Sequence, residues 1–136
     1  MIGFLLHTSC ALGATPGVVT VGSTQLHICS DSIIRVTKTP SPGALPARVE
    51  LIAKSDWPEA HFTKKEDANT VTVSTSLVTA TVSKGNGAVT FADAKTGQKM
   101  LAETNSSFTP TTDMNTKTYI IEQSWSNDGW VRSSYV

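Results

Sequence analysis

From residue 17 to residue 38, apolar and polar positions take turns in steps of two. Residues 17–21 (GVVTV) and 24–29 (TQLHIC) are short runs rich in β-branched side chains, separated by Gly22 and Ser23. A period of two predicts strands, and a two-residue break containing glycine predicts a tight hairpin. In the second run Leu26 and Ile28 share one face and Gln25 and His27 the other. Residues 32–38 continue as a strand, with Ile34 and Val36 on one side and Ile33 and Arg35 on the other. Residues 39–46 carry three prolines and a glycine and predict a loop. A strand is predicted over 48–54. Residues 55–62 form an irregular or edge stretch, because Pro58 cannot donate to a central ladder.

The alternation is cleanest over residues 69–84 (NTVTVSTSLVTATVSK). Val71, Val73 and Thr75 fall on one face, and Val78, Ala80 and Val82 on one face of a second strand. The phase changes at residues 75–77, where a turn or bulge fits. Gly85-Asn86-Gly87 offers residues that tolerate positive φ for the next turn. Residues 88–93 return as a strand with Val89 and Phe91 inward. Asp93 to Gly97 turns the chain, Asp93 by bonding the backbone ahead of it and Gly97 by taking a left-handed conformation. Residues 98–103 are a further strand, 104–116 read as a polar loop, and 117–125 as a last strand. Beyond it Trp130, Val131 and Tyr135 are apolar with no strand expected to pair with them. No capped segment of helical period occurs. The sum is seven to nine short strands: an all-β chain, an antiparallel β-sandwich, in a single domain over 17–136 that reads as incomplete at its C-terminal end.

Composition agrees with that class. Of 136 residues 39% are hydrophobic and 16% charged, and 11 basic side chains balance 11 acidic ones. A balanced chain without a clustered basic face argues against a nucleic-acid partner. Lys64, Lys65, Glu66 and Asp67 cancel one another and read as a solvated turn. No apolar run is long enough to span a membrane as a helix. Residues 1–16 carry Ile2, Phe4, Leu5 and Leu6 ahead of small Ala11, Gly13 and Ala14, a signal-like pattern without the usual basic start. As a signal it would make the protein secreted or periplasmic and remove Cys10; otherwise it is an N-terminal arm. If it stays, a Cys10–Cys29 disulfide is an option. The two cysteines match no metal or redox spacing, and no metal or cofactor is implied.

Candidate chemistry is sparse. His7, His27 and His61 do not cluster, and His27 reads as a surface or core-edge side chain. The acids, Glu103 among them, fall mainly in turns or at strand ends, and no pair stands out for glycoside cleavage. No nucleophile-elbow or phosphate-loop pattern is present. Trp57, Trp125 and Trp130 are the candidate carbohydrate-binding residues, since indole rings stack on sugars; core or edge packing is the competing role. Asn105-Ser106-Ser107 is a glycosylation sequon, meaningful only in a eukaryotic secreted protein.

The order of the strand motifs carries a resemblance. Residues 31–40 (DSIIRVTKTP), then 69–103 with Val71, Val73, Thr75, Val82, Phe91, Asp93, Gly97, Leu101 and Glu103, then residues 119–125 (YIIEQSW), resemble the N-terminal domain of glycoside hydrolase family 31. That family comprises α-glucosidases and α-xylosidases. The resemblance implies a galactose-mutarotase-like sandwich packed on a (β/α)₈ catalytic barrel of the same polypeptide, which this chain lacks. It also implies an exposed apolar face where the barrel docks. The family's Tyr-Gly-Leu-Gly segment is missing after residue 125, and no catalytic residue can be carried over. Two other functions remain open at this point: a stand-alone carbohydrate-binding module, and a small mutarotase-type enzyme, against which the length argues.

Overall fold

A computed structural model describes residues 17–41, 57, 60–127 and 130–135, the last six and Asn127 as backbone. Among the described residues there are ten strands and no helix. They are β1 (Val18–Val21), β2 (Thr24–Ser30), β3 (Ile33–Lys38), β4 (Thr63–Glu66) and β5 (Thr70–Ser74). They continue with β6 (Val78–Ser83), β7 (Val89–Asp93), β8 (Lys99–Asp113), β9 (Thr116–Asn127) and β10 (Trp130–Tyr135). Two antiparallel sheets result, a small one of order β1-β2-β3 and a large one of order β10-β9-β8-β7-β6-β5-β4. The molecule is a β-sandwich.

The turns explain the registers. Val21 pairs with Thr24 around Gly22-Ser23, and Gly22 alone has positive φ, +59°, as a type II′ hairpin requires at its first central position. Thr75 organises the β5–β6 turn: its hydroxyl accepts from the Val78 N–H at 3.0 Å and donates to the Asp31 carbonyl at 2.6 Å. Asp93 Oδ1 accepts from the N–H groups of Lys95 and Thr96, and Gly97 follows at φ +72°. These bonds hold the Asp93 carboxyl below the usual carboxylate range, the Thr96 N–H most of all. In the β6–β7 turn only Gly87 takes positive φ, +68°, so Gly85 does not play the part its sequence suggests. A Cβ at Gly87 would also sit 2.7 Å from the Thr24 hydroxyl, which donates to the Gly87 carbonyl.

Alternation then builds one core between the sheets. Val19, Val21, Leu26 and Ile28 come from the small sheet; Val71, Val73, Ala80, Val82 and Val89 from the large one. Ile34, Val36, Phe62, Phe91 and Trp125 pack around them. Apart from Phe62, which precedes β4, these are inward positions of a period-two pattern, and full burial of a Val, Leu or Ile side chain contributes about 1.5–3 kcal/mol. Cys29 is buried beside them as a free thiol.

Three expectations are corrected. Residues 104–116 are not a loop: β8 runs on to Asp113 and turns through Met114-Asn115 into β9. Pairing with the apolar Tyr119, Ile120 and Ile121 holds this polar stretch extended, and Pro110 lies where β8 has no neighbour but β9. Trp130, Val131 and Tyr135 do have a strand to pair with, because β10 lies along β9. Lys64, Lys65 and Glu66 are not a turn but edge strand β4, which needs hydrogen bonds on one side only. The strand expected over 48–54 and the segment 1–16 lie outside the described residues.

Candidate functional site

Two features stand apart from ordinary sandwich packing. The first is a buried charge. Leu101 faces Phe91 and Glu103 faces Trp125, so alternation along β8 puts both on the inner side. The Glu103 side chain is fully buried, and its Oε2 accepts from Lys38 Nζ at 2.5 Å and from the Val89 N–H at 3.0 Å. Its Oε1 accepts from Gln123 Nε2 at 2.8 Å. One carboxylate thus joins β3 of the small sheet to β7, β8 and β9 of the large one. Both oxygens are engaged and no solvent reaches the group, so it has no face for a substrate. Buried ion pairs of this kind require full hydrogen bonding, and this one has it. A β-bulge at Thr104, between the partners of Trp125 and Ser124, follows directly.

Sequence reasoning missed this cluster. Glu103 was placed among acids at strand ends, although its phase with Leu101 pointed inward. Lys38 lies 65 residues away, and local pattern carries no sign of such a pairing.

The second feature is a ribbon. β7 pairs with β8 only over residues 99–102, and β10 pairs with β9 only over 122–127. Residues 105–113 and 116–121 therefore form a two-stranded hairpin that extends past the rest of the large sheet. Phe108 lies opposite Ile121 and Pro110 opposite Tyr119. Ile121 and Tyr119 are in step with Trp125, which packs on the core. The inner face of the sandwich thus continues along the ribbon as Phe108, Pro110, Tyr119 and Ile121. Phe108 and Tyr119 meet edge to face at 6.4 Å. Tyr119 is 44% exposed, Ile120 on the other face 52%, and Met114 at the tip 93%.

The three candidate tryptophans have different settings. Trp125 is half-buried and stacks on Phe91 at 6.2 Å with a 30° tilt. Trp57 is exposed, in the segment ahead of β4. Trp130 starts β10 opposite Asn127 and is described by its backbone. Asn105 is exposed on β8, directly after the bulge, in a paired strand and not in the expected loop. On the small sheet His27 is half-buried, with Nε2 2.7 Å from Gln25 Oε1. Burial, and then the charge of Arg35, push its pKa below the ordinary value. Among the described residues no three His, Cys, Asp or Glu side chains converge as metal ligands would.

No protein-family model matches the chain, and no curated protein does. Among solved structures it is similar to the crystal structure of a GH31 α-xylosidase from Xanthomonas citri, with a TM-score of 0.69 and 24% identity over 83% of this chain. The two share a fold. The match spans 12% of the length of that enzyme. The sandwich is thus the likeness of a small part of a much longer chain.

Proposed function

We propose that this chain is the N-terminal, non-catalytic sandwich of a family 31 α-glycosidase, with a galactose-mutarotase-like topology. It packs on a (β/α)₈ barrel of the same polypeptide and helps to shape the sugar-binding entrance. The barrel carries the cleaving carboxylates and hydrolyses α-glucosidic or α-xylosidic bonds. The observation that supports this reading most is the asymmetry of the fold match, 83% of this chain against 12% of a GH31 α-xylosidase. The ordered strand motifs from Asp31 to Trp125 support it independently of the fold.

The test is hydrolysis of aryl α-glucosides and α-xylosides by the polypeptide of the complete reading frame and by residues 1–136 alone. The complete polypeptide is expected to cleave at least one substrate and the short chain neither. Failure of the complete polypeptide on both, or cleavage by the short chain, contradicts the reading. The exposure of Trp57 favours a second reading, a carbohydrate-binding module. Oligosaccharide binding unchanged by Trp57→Ala would remove that residue from it.

A further inference from the structure

We propose that the outer face of the small sheet holds an oxyanion-binding site, built from Arg35 on β3 and His27 on β2, and that its ligand presents a carboxylate or phosphate group. The site uses only residues of the small sheet and stands apart from the glycosidase reading.

The strands set the pair. Leu26, Ile28, Ile34 and Val36 pack in the core, so the intervening Gln25, His27, Arg35 and Thr37 face outward. His27 lies directly opposite Arg35. Cross-strand neighbours on one face stand about 5 Å apart at Cβ, a span that the oxygens of one carboxylate or phosphate group can bridge. Arg35 supplies the first observation. Its Nε is buried, and among the described residues no acceptor reaches it. A donor sealed from bulk water is costly when left unpaired, the more so on a charged group. Such a group calls for an acceptor that the described residues do not supply.

His27 supplies the second observation. Its Nε2 lies 2.7 Å from Gln25 Oε1, and Gln25 Nε2 donates to Thr20 Oγ1 at 3.2 Å. A carbonyl oxygen only accepts, so the ring carries its proton on Nε2. The Thr20–Gln25 relay thus orients the ring and leaves Nδ1 to take a second proton and donate it to an anion. Charge is the third observation. The outward positions of β1, β2 and β3 carry no carboxylate, and Arg35 is the charged group that faces His27. Asp31, in the β2–β3 turn, accepts from the Ser76 hydroxyl with Oδ2 instead. Like charges placed opposite each other disfavour a sheet, and Arg35, after burial, lowers the His27 pKa. An oxyanion between them removes that repulsion. The guanidinium and a protonated imidazole then offer charge-assisted hydrogen bonds to its oxygens.

The test is binding of sodium acetate and of sodium sulfate to residues 1–136, with ionic strength held constant by sodium chloride. The NMR signals of the Arg35 Nε–H and the His27 ring report it. Acetate stands for a carboxylate and sulfate for a phosphate, and both stay charged from about pH 7.5 to about pH 5.5, the range in which His titrates. Saturable shifts at both residues are expected, with His61 unmoved. Affinity should rise by about threefold or more as pH falls across that range, and the dependence should vanish in His27→Gln. Arg35→Lys keeps the charge but lacks the planar fork, and should weaken binding by about tenfold. Signals of Val71 and Val73, unchanged in both variants, are the folding control. Tighter binding of acetate assigns the site to a carboxylate, and tighter binding of sulfate assigns it to a phosphate. Shifts that do not saturate, equal affinity in Arg35→Lys, or an affinity that ignores pH in the natural protein overturns the site.

Discussion

The large sheet is guarded at one end and open at the other. At the β4 end Lys64, Lys65 and Glu66 are exposed, and Glu66 lies 2.8 Å from Lys84 and 3.0 Å from Lys64. Lys84 and then Lys64 hydrogen-bond that carboxylate and lower its pKa to about 2. The salt bridges themselves add little stability at a wet surface. Their use is that a row of charged side chains keeps another strand from pairing there. Toward the other end β8 and β9 run on as a ribbon of Thr, Ser, Phe, Pro, Tyr and Ile, with its edges unpaired and its charges confined to the tip and base. A two-stranded hairpin by itself is marginal in water. The contrast is between an edge lined with charge and a ribbon whose sides carry none.

Where the two regimes meet, Glu103 ties them down, and the largest effect is expected there. Lys38→Met leaves a carboxylate buried without its cation and should lower the unfolding free energy by about 3–5 kcal/mol. The double replacement Lys38→Met with Glu103→Leu should recover most of that loss, as read by chemical denaturation. Leu26→Ala opens a cavity in the covered core and is expected to destabilise by about 3 kcal/mol. Gly87→Ala forces a Cβ onto the buried Thr24 hydroxyl at positive φ, and a loss of about 2 kcal/mol is expected.

A smaller effect depends on pH. The pKa of His27 is lowered in the fold, so below its ordinary value of 6.5 the unfolded chain takes up the proton first. Its contribution is fully present above pH 6.5 and fades as pH falls. The slope of thermal midpoint against pH just below 6.5 should therefore flatten in His27→Gln. The smallest effect belongs to the ribbon. Ile120→Ala in residues 1–136 alone should change stability by less than about 0.5 kcal/mol, as for other exposed sites. A loss comparable to Leu26→Ala would erase the contrast between core and ribbon.

Most of the sandwich was legible in the sequence, and the reasons are local. Leu26 with Ile28, Val71 with Val73, and Ala80 with Val82 alternate without interruption, and Gly22, Gly87 and Gly97 mark turns that need positive φ. The ribbon was not legible. Ser, Asn and Pro in residues 104–112 disguise a strand whose extended shape comes from its partner β9. The Met114-Asn115 turn also lacks the glycine that signals a hairpin. Strand β10 was missed for a related reason: its pairing with β9 depends on an alignment that its own residues do not announce. Glu103 was misplaced because a lone charge reads as solvent-exposed until its cation, 65 residues distant, is brought to it. Local rules decide strands and turns, while the candidate site depends on long-range pairing.

The proposed function makes this sandwich the supporting part of a larger glycosidase. The intact mass of the natural protein, measured on the fraction that hydrolyses α-glucosides or α-xylosides, tests it most directly. The account predicts that peptides from residues 17–136 occur in that fraction, within a polypeptide several times the 14.5 kDa of this chain. A natural product of 14.5 kDa or less that elutes apart from all such activity would contradict it.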